Sequence, residues 1–425
     1  MYNYYTEEMN FYGSTTPHEL ISQFGSPLYV YNEAIMRQCC REMAGFIPYS
    51  NCKVNYSTKA NANPKLLKII HEEGLHADAM SPGEIHVLLT AGFHPEEIFY
   101  IGNNVSEEEM LYAVNLGIPV SVDSLSQLDT FGEINPGGEV AIRINPGFGI
   151  GHHEKVITGG GKTKFGINSD RIREIRDLLK KHNLTLTGLN QHIGSLFMEG
   201  EAYLESVRAI LEIASHFEGL QFIDLGGGFG IPYHKQEGEK PLELEQLGCR
   251  IGELLSEWAA KTNPNVLFEI EPGRYITAEC GVLLGTVHAL KENSGICYAG
   301  TDLGFNVLAR PVMYDSWHDI ELYGRNPNPT TASGEKTYTI VGNICESGDI
   351  IAKDRVLPSL SKGDLLGVMD AGAYGTSMSS NYNNRLKPAE ILIGTDGSPR
   401  LIRHRDTPED LLRNFCEEGV LAESR

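Results

Sequence analysis

Short apolar runs alternate with longer amphipathic stretches from about residue 50 to residue 275, and this alternation limits the possible folds. Eight apolar or β-branched runs predict strands at residues 53–57, 75–77, 98–101, 119–122, 140–144, 186–191, 222–225 and 266–270. Helical patterns occupy intervals between them, at residues 63–73, 82–91, 107–115, 170–181, 201–217 and 242–261. Eight strands separated by helices predict an α/β fold with a parallel (β/α)8 TIM-like barrel, and an open doubly wound sheet is the alternative.

The pattern changes after about residue 280. Short runs at residues 281–288, 296–298, 337–341, 365–368 and 391–393 alternate with Gly, Pro, Asn and Asp, which predicts a C-terminal antiparallel β domain. A further run at 27–31 predicts an N-terminal strand that completes this sheet. We therefore expect an N-terminal segment at 1–45, the barrel at 46–280 and the β domain at 281–425. Residues 323–336 and 147–163 predict exposed loops, and the glycines of the second favour a lid.

Charge and composition narrow the classes of partner. The formal net charge of -21 argues against nucleic acid and anionic membranes, because both require a basic protein face. No apolar run approaches the ~20 residues that span a bilayer, and residues 1–13 lack the basic and apolar regions of a secretion signal. The 8 cysteines show no CxxC pair, which predicts neither a zinc site nor a disulfide framework and favours the cytoplasm.

The residues just past the predicted strands are nearly all polar or glycine. In a barrel of this type those positions form the active site. In order they are Lys59, Asp78, Asn103, Asp123, Asn145, His192, Gly226-Gly227-Gly228 and Glu271-Pro272-Gly273-Arg274. Each alone fits a turn, a helix cap or a satisfied buried group, but together they predict a polar floor for a charged ligand.

Lys59 is the candidate nucleophile of this set. An amine at the end of a buried strand can lose its proton, because desolvation lowers its pKa, and can then attack an aldehyde. A solvated surface lysine is the ordinary alternative. The glycines at 226–230 predict a phosphate cradle, with a plain tight turn as the alternative. A second glycine run at 159–163 lacks the first glycine of a P-loop and predicts a loop.

For several other reactive or charged residues the sequence allows both a functional and a purely structural interpretation. Arg274 suits a phosphate or carboxylate, and Glu271 would keep a ring nitrogen protonated, although an internal salt bridge between them is the alternative. His192 is either a satisfied core residue or a group that stacks on a flat cofactor. Cys345 on its own favours a buried thiol. The pair at 152–153, two histidines, has no further ligands at metal-site spacing, so we expect no metal.

Six ordered motifs resemble the fold-type III pyridoxal-phosphate-dependent decarboxylases of the alanine-racemase-like barrel class. The resemblance runs from about residue 27 to residue 407. The motifs are Tyr56-Ser57-Thr58-Lys59-Ala60-Asn61, His192-Ile193-Gly194-Ser195, Gly226-Gly227-Gly228-Phe229-Gly230, Glu271-Pro272-Gly273-Arg274, Cys345-Glu346-Ser347-Gly348-Asp349 and Gly372-Ala373-Tyr374-Gly375.

The resemblance implies pyridoxal 5'-phosphate as the cofactor and a role for each matching residue. Lys59 would hold the cofactor as an internal aldimine, His192 would stack on its ring, and Glu271 would pair with its nitrogen, with Asp78 in the same site. The phosphate would be bound by Ser195, Gly227, Gly228, Gly273, Arg274 and Tyr374. The substrate would contact Arg274, Arg310, Tyr314, Glu346 and Tyr374, and Cys345 would return a proton.

The resemblance also implies an activity and an assembly. The expected reaction converts meso-2,6-diaminopimelate to L-lysine and carbon dioxide. The alternatives are decarboxylation of ornithine, lysine or a siderophore or antibiotic precursor and, more distantly, a non-catalytic pyridoxal-phosphate-binding protein. A homodimer with shared active sites is expected, in which the Cys345-Glu346 segment enters the partner's site. Departures from the family pattern at Val105, Asn190, Leu196 and Asn343 bear on the substrate rather than on the catalytic groups.

Overall fold

The computed structural model describes residues 4–151, 158–160, 163–324 and 334–415. These residues belong to two units. The barrel unit consists of Glu33–Cys280 and Gly372–Ser377, and the sheet unit consists of the residues up to Asn32, Gly281–Ala371 and the residues from Met378 onward. None of the helices within the described ranges has the length and apolar character needed to cross a membrane.

The strands and helices of these residues are numbered along the chain. The strands are β1 (Leu28–Asn32), β2 (Cys52–Ser57), β3 (His76–Ala79), β4 (Ile98–Ile101), β5 (Val120–Val122), β6 (Glu139–Asn145), β7 (Ile150–Gly151), β8 (Ile167–Asn168), β9 (Thr185–Asn190), β10 (Gly194–Ser195), β11 (Phe222–Asp224), β12 (Leu267–Ile270), β13 (Gly281–Asn293), β14 (Ile296–Thr301), β15 (Ile320–Tyr323), β16 (Glu335–Val341), β17 (Ile350–Pro358), β18 (Leu365–Val368), β19 (Ala389–Ile393) and β20 (Pro399–Arg403). The helices are α1 (Tyr5–Glu8), α2 (Pro17–Phe24), α3 (Glu33–Ala44), α4 (Pro64–Glu72), α5 (Pro82–Ala91), α6 (Glu107–Asn115), α7 (Leu125–Ile134), α8 (Ile172–His182), α9 (Glu201–Ala214), α10 (Leu244–Lys261), α11 (Arg274–Thr277) and α12 (Arg310–Tyr314).

Eight parallel strands close into a ring in the barrel unit. Their order is β2, β3, β4, β5, β6, β9, β11 and β12, and β12 pairs back onto β2. The closure is visible in the register of β2, where Val54 pairs with Ile270 on one side and Ser57 with Asp78 on the other. The predicted (β/α)8 barrel is therefore confirmed, and the carboxyl ends of its strands share one end of the ring.

Serine caps determine where several barrel helices begin. The hydroxyl of Ser81 accepts a hydrogen bond from the Glu84 N–H at the start of α5, next to Pro82 in the first turn. Ser106 and Ser124 cap α6 and α7 in the same way. A cap of this kind stabilises a helix by about 1 kcal/mol. Helix α7 is missing from the predicted helices, although Ser124 is the signal that identifies its start.

The sheet unit contains a nine-stranded sheet that includes the N-terminal strand β1. β1 lies between β13 and β19, so that Tyr29 pairs with Leu283 in antiparallel register and with Glu390 in parallel register. All residues of β1 are buried, and the Tyr31 hydroxyl donates to Glu390 at 2.9 Å. The predicted completion of this sheet by the N-terminal strand is confirmed. The sheet is mixed rather than purely antiparallel, since β14 and β16 also pair in parallel.

The two units divide the chain differently from the predicted segments 1–45, 46–280 and 281–425. Helix α3 belongs to the barrel unit, as do residues Gly372–Ser377. This short segment is attached to the barrel by hydrogen bonds: the Tyr374 N–H donates to the Ala60 carbonyl at 2.8 Å, and the Asn61 amide donates to the Gly372 carbonyl at 2.9 Å. Parts of the predicted loops at 147–163 and 323–336 lie outside the described residues, as do the histidines at 152–153.

Candidate active site

Lys59 lies in a short 3-10 turn, Thr58–Ala60, at the carboxyl end of β2. Asp78 lies one residue before the end of β3, His192 follows β9, and Glu271 follows β12, so the parallel strands bring them to the same end of the barrel. Electrostatic interactions join Lys59 to Asp78, to Glu271 and to the Tyr374 hydroxyl. Four of the predicted strand-end residues therefore lie at the same end of the barrel unit, and their roles stay a prediction.

The charge of Lys59 differs from the expectation drawn from the sequence. Burial lowers the pKa of its amine, as expected, but Tyr374, Asp78 and Glu271 raise it by more, and the net direction is upward. The raised pKa favours the ammonium form of this amine at neutral pH. A neutral nucleophile requires that a proton leave this cluster before the amine reacts.

Three buried carboxyl groups belong to this cluster, and two of them interact with the lysine. Asp78 accepts hydrogen bonds from the Ser57 hydroxyl at 2.7 Å and from the Thr58 N–H at 3.2 Å. Burial raises the pKa of Glu271 well above its ordinary value, with Asp224 and Asp78 adding to the rise. Burial and the nearby Glu269 raise the pKa of Asp224 to about 8. Too few positive charges lie near these carboxyl groups to stabilise all of them in the ionised form. Some of them therefore stay protonated at neutral pH.

The Glu271 carboxyl group has an unused acceptor in this cluster. Its Oε1 atom is buried and accepts no hydrogen bond from any described residue. A buried oxygen of this kind is costly unless it gains a donor. A protonated ring nitrogen is such a donor, so Glu271 suits the pyridine ring of pyridoxal phosphate.

Arg274 and a set of glycines form an anion site next to this cluster. The guanidinium donates to the Ser195 hydroxyl at 2.8 Å and to the Tyr233 hydroxyl at 2.9 Å, and lies 5.0 Å from the centre of the Tyr374 ring. A Cβ atom on Gly227 would lie 1.9 Å from the Glu271 carbonyl oxygen, so only glycine fits there. Gly228 and Gly273 are equally confined, since a Cβ atom on them would lie 2.5 Å from the Gly194 oxygen and 2.8 Å from the Ser57 Cβ atom, respectively. An arginine and a hydroxyl beside closely packed glycines fit a phosphate group.

His192 is a neutral imidazole at this site. Its Nδ1 atom accepts a hydrogen bond from the Gly227 N–H at 3.2 Å, so the ring proton is on Nε2. Burial lowers the pKa of His192 well below its ordinary value, and the positive charges of Lys59 and Arg143 lower it further. A neutral, oriented ring suits stacking against a flat cofactor.

Sequence reasoning missed three residues of this cluster: Arg143, Asp224 and Tyr233. Arg143 is buried in β6, with its guanidinium 4.5 Å from the centre of the Phe165 ring. Burial lowers its pKa, while the charges of Glu271 and Asp123 act in the opposite direction. An arginine inside the apolar run 140–144 is a signal that identifies it. Tyr233 lies beyond the glycine run and has no comparable signal.

The remaining predicted residues lie in the sheet unit. Arg310 is buried in α12, where its guanidinium donates to His318 Nε2 at 2.9 Å, and Tyr314 ends the same helix. Cys345 and Glu346 lie in an exposed turn before β17. The expectation of a buried Cys345 thiol is therefore wrong. The Asp349 carboxyl group accepts a hydrogen bond from the Ile344 N–H at 2.8 Å. This hydrogen bond closes the turn, and Cys345 lies on its exposed side.

Comparisons with known proteins agree with this site. Residues 33–278 match the family model described as "Pyridoxal-dependent decarboxylase, pyridoxal binding domain". The chain is 40% identical over 404 residues to a protein of Methanothermobacter thermautotrophicus named diaminopimelate decarboxylase, covering 93% of this chain and 92% of the relative. The protein of the same name from Escherichia coli K12 is 35% identical over 406 residues, covering 92% and 94%.

Solved structures show the same similarity. The crystal structure of diaminopimelate decarboxylase from Helicobacter pylori complexed with L-lysine superposes with a TM-score of 0.84 at 30% identity, covering 94% of this chain and 98% of that one. The matched family model describes a domain that binds pyridoxal, and it covers the barrel. The chain belongs to the family of pyridoxal-dependent decarboxylases, and within it to the group of the diaminopimelate decarboxylases.

Proposed function

We propose that this protein is a carboxy-lyase that converts meso-2,6-diaminopimelate to L-lysine and carbon dioxide with pyridoxal 5'-phosphate as its cofactor. The observation that carries the proposal is the Lys59, Asp78 and Glu271 cluster next to the Arg274 and Ser195 anion site. The names of the relatives and the L-lysine bound to the Helicobacter pylori enzyme support the choice of substrate.

The barrel unit would hold the cofactor. Lys59 would attach to it covalently, and the phosphate would lie against Ser195, Gly227, Gly228, Gly273, Arg274 and Tyr374. Glu271, supported by Asp78, would keep the ring nitrogen protonated, and His192 would cover one face of the ring. When bound, pyridoxal phosphate withdraws electrons from the substrate α-carbon as carbon dioxide leaves.

The cluster around Lys59 would also manage the proton of the amine. The ammonium of Lys59 lies close to Asp78 and Glu271, whose pKa values are raised by burial. Either carboxylate is a base within the cluster that can take the ammonium proton without contact with bulk water. The barrel residues would thus supply both the nucleophilic amine and the acid that accompanies it.

The sheet unit would supply groups for the substrate. Arg310 and Tyr314 would bind it, Glu346 would bind the distal ammonium, and Cys345 would return a proton to the α-carbon. Both members of the pair Cys345 and Glu346 are exposed in the single chain. This exposure supports a homodimer with shared active sites, in which the turn enters the partner's site.

Steady-state kinetics on the purified protein, loaded with pyridoxal phosphate, test the proposal. We expect release of carbon dioxide and L-lysine from meso-diaminopimelate, with a much lower kcat/KM for lysine and ornithine. Preference for ornithine or lysine would replace the proposed substrate by the alternative one.

Fractionation of the native cells would test the cytoplasmic location that we propose for this enzyme.

A further inference from the structure

The turn that carries Cys345 and Glu346 is fixed on both sides by side chains of the sheet unit. The Asp349 carboxyl group accepts from the Ile344 N–H at 2.8 Å and from the Phe305 N–H at 2.7 Å. The Cys345 N–H donates to the Asn383 amide oxygen at 2.8 Å. The backbone next to Glu346 therefore has a defined position, although the turn is exposed.

Tyr382 fixes the Glu346 side chain as well. Its hydroxyl donates to the Glu346 Oε1 atom at 2.5 Å. Its ring stacks on Phe305, with the ring centres 5.7 Å apart and the planes 27° from parallel. The Phe305 N–H in turn donates to the Asp349 carboxyl group. Tyr382 and the turn are therefore both held in place through Phe305 and Asp349. An exposed glutamate without this bond would populate several rotamers.

We infer that Tyr382 is a positioning residue that holds Glu346 ready for the distal ammonium of the diamino acid substrate. The inference rests on the proposed function, in which Glu346 binds that ammonium. A carboxylate offers about four acceptor sites, so one bond from a neutral hydroxyl leaves acceptors and the negative charge available. Fixing the carboxylate in advance reduces the side-chain entropy lost when the substrate binds.

The Tyr382→Phe variant removes the hydroxyl and keeps the ring on Phe305. We expect its KM for meso-diaminopimelate to rise roughly 5- to 10-fold, about the net value of one ordinary hydrogen bond, with kcat within about twofold of wild type. Tyr112→Phe is the matched control. Tyr112 is an exposed tyrosine of α6, so removal of its hydroxyl should leave KM and kcat unchanged.

A double-mutant cycle separates positioning from a structural role. Because the hydroxyl acts through the carboxylate, Tyr382→Phe should not raise KM further in a Glu346→Ala background. A structural role would instead lower kcat or the folded fraction seen by circular dichroism, and that effect would persist in the Glu346→Ala background. Such a result would overturn the inference.

The single variants distinguish failure of the inference from failure of the proposed function. If Glu346→Ala leaves KM for meso-diaminopimelate unchanged, the proposed role of Glu346 is wrong and the inference falls with it. If Glu346→Ala raises KM but Tyr382→Phe does not, only the inference is wrong.

Discussion

Replacement of Asp224 by asparagine tests the buried carboxyl cluster most directly. The Asp224 Oδ1 atom accepts from the Gly226 N–H at 2.8 Å, while its buried Oδ2 atom accepts no hydrogen bond from a described residue. Asparagine keeps the first oxygen and replaces the second by an NH2 donor close to the Glu271 carboxyl group. The variant therefore removes a titrating group and puts a neutral donor in its place.

The size of the effect follows from the raised pKa of Asp224. A carboxyl group with a higher pKa in the folded state binds its proton more tightly there, so it lowers the free energy of unfolding as the pH rises from about 4 to about 8. A rise from 3.8 to about 8 corresponds to roughly 6 kcal/mol at full ionisation. Asp78 and Glu271 share protons with Asp224 in the same cluster, so we expect Asp224→Asn to recover roughly 2–3 kcal/mol at pH 8 and less than about 1 kcal/mol at pH 5.

Urea unfolding of the cofactor-free protein at pH 5, 6.5 and 8, followed by circular dichroism, measures this difference. The unfolding midpoint of Asp224→Asn should rise relative to wild type as the pH rises. Asp396→Asn is the control: hydrogen bonds from Ser398 lower the pKa of this exposed carboxyl group to about 2, so its effect should not change over this range. A midpoint difference for Asp224→Asn that is the same at pH 5 and pH 8 would refute the reasoning.

Three further variants test the other parts of the site. Lys59→Ala should abolish the visible absorption band of the protein mixed with pyridoxal phosphate, and a retained band would contradict covalent attachment at this lysine. Cys345→Ala should keep that band but lower kcat about 10²- to 10⁴-fold in steady-state assays, and full activity would place the proton donor elsewhere. Gly227→Ala puts a Cβ atom 1.9 Å from the Glu271 carbonyl oxygen, so it should weaken pyridoxal phosphate binding at least about tenfold in equilibrium dialysis. Unchanged affinity would remove Gly227 from the phosphate cradle.

The barrel was predictable because its signals are local. Each strand is a short apolar run, and each helix repeats its apolar residues along one face, so both periods are visible along the chain. Several elements with weaker patterns were missed. In β17 the charged Arg355 is buried while the apolar Val356 is exposed, and the residues of β20 are all partly or fully exposed. β15 is only four residues long.

Much of the site was predictable from the same positions. In a parallel barrel any polar residue just past a strand lies at the active end, which identified Lys59, Asp78, His192 and Glu271 without knowledge of their contacts. Tyr374 was found only through family resemblance. Its attachment to Ala60 joins segments more than 300 residues apart, and no local pattern predicts that pairing.

The sequence by itself determined the barrel, the place of Lys59 at the end of a strand and the glycines beside it. The tertiary structure decided the charge of the site. Lys59 was expected to lose its proton through burial, but Asp78, Glu271 and Tyr374 surround it and raise its pKa. The physical reason is that hydrophobic periodicity is a property of neighbouring residues in the chain, whereas a pKa depends on charges that distant segments bring within a few ångströms.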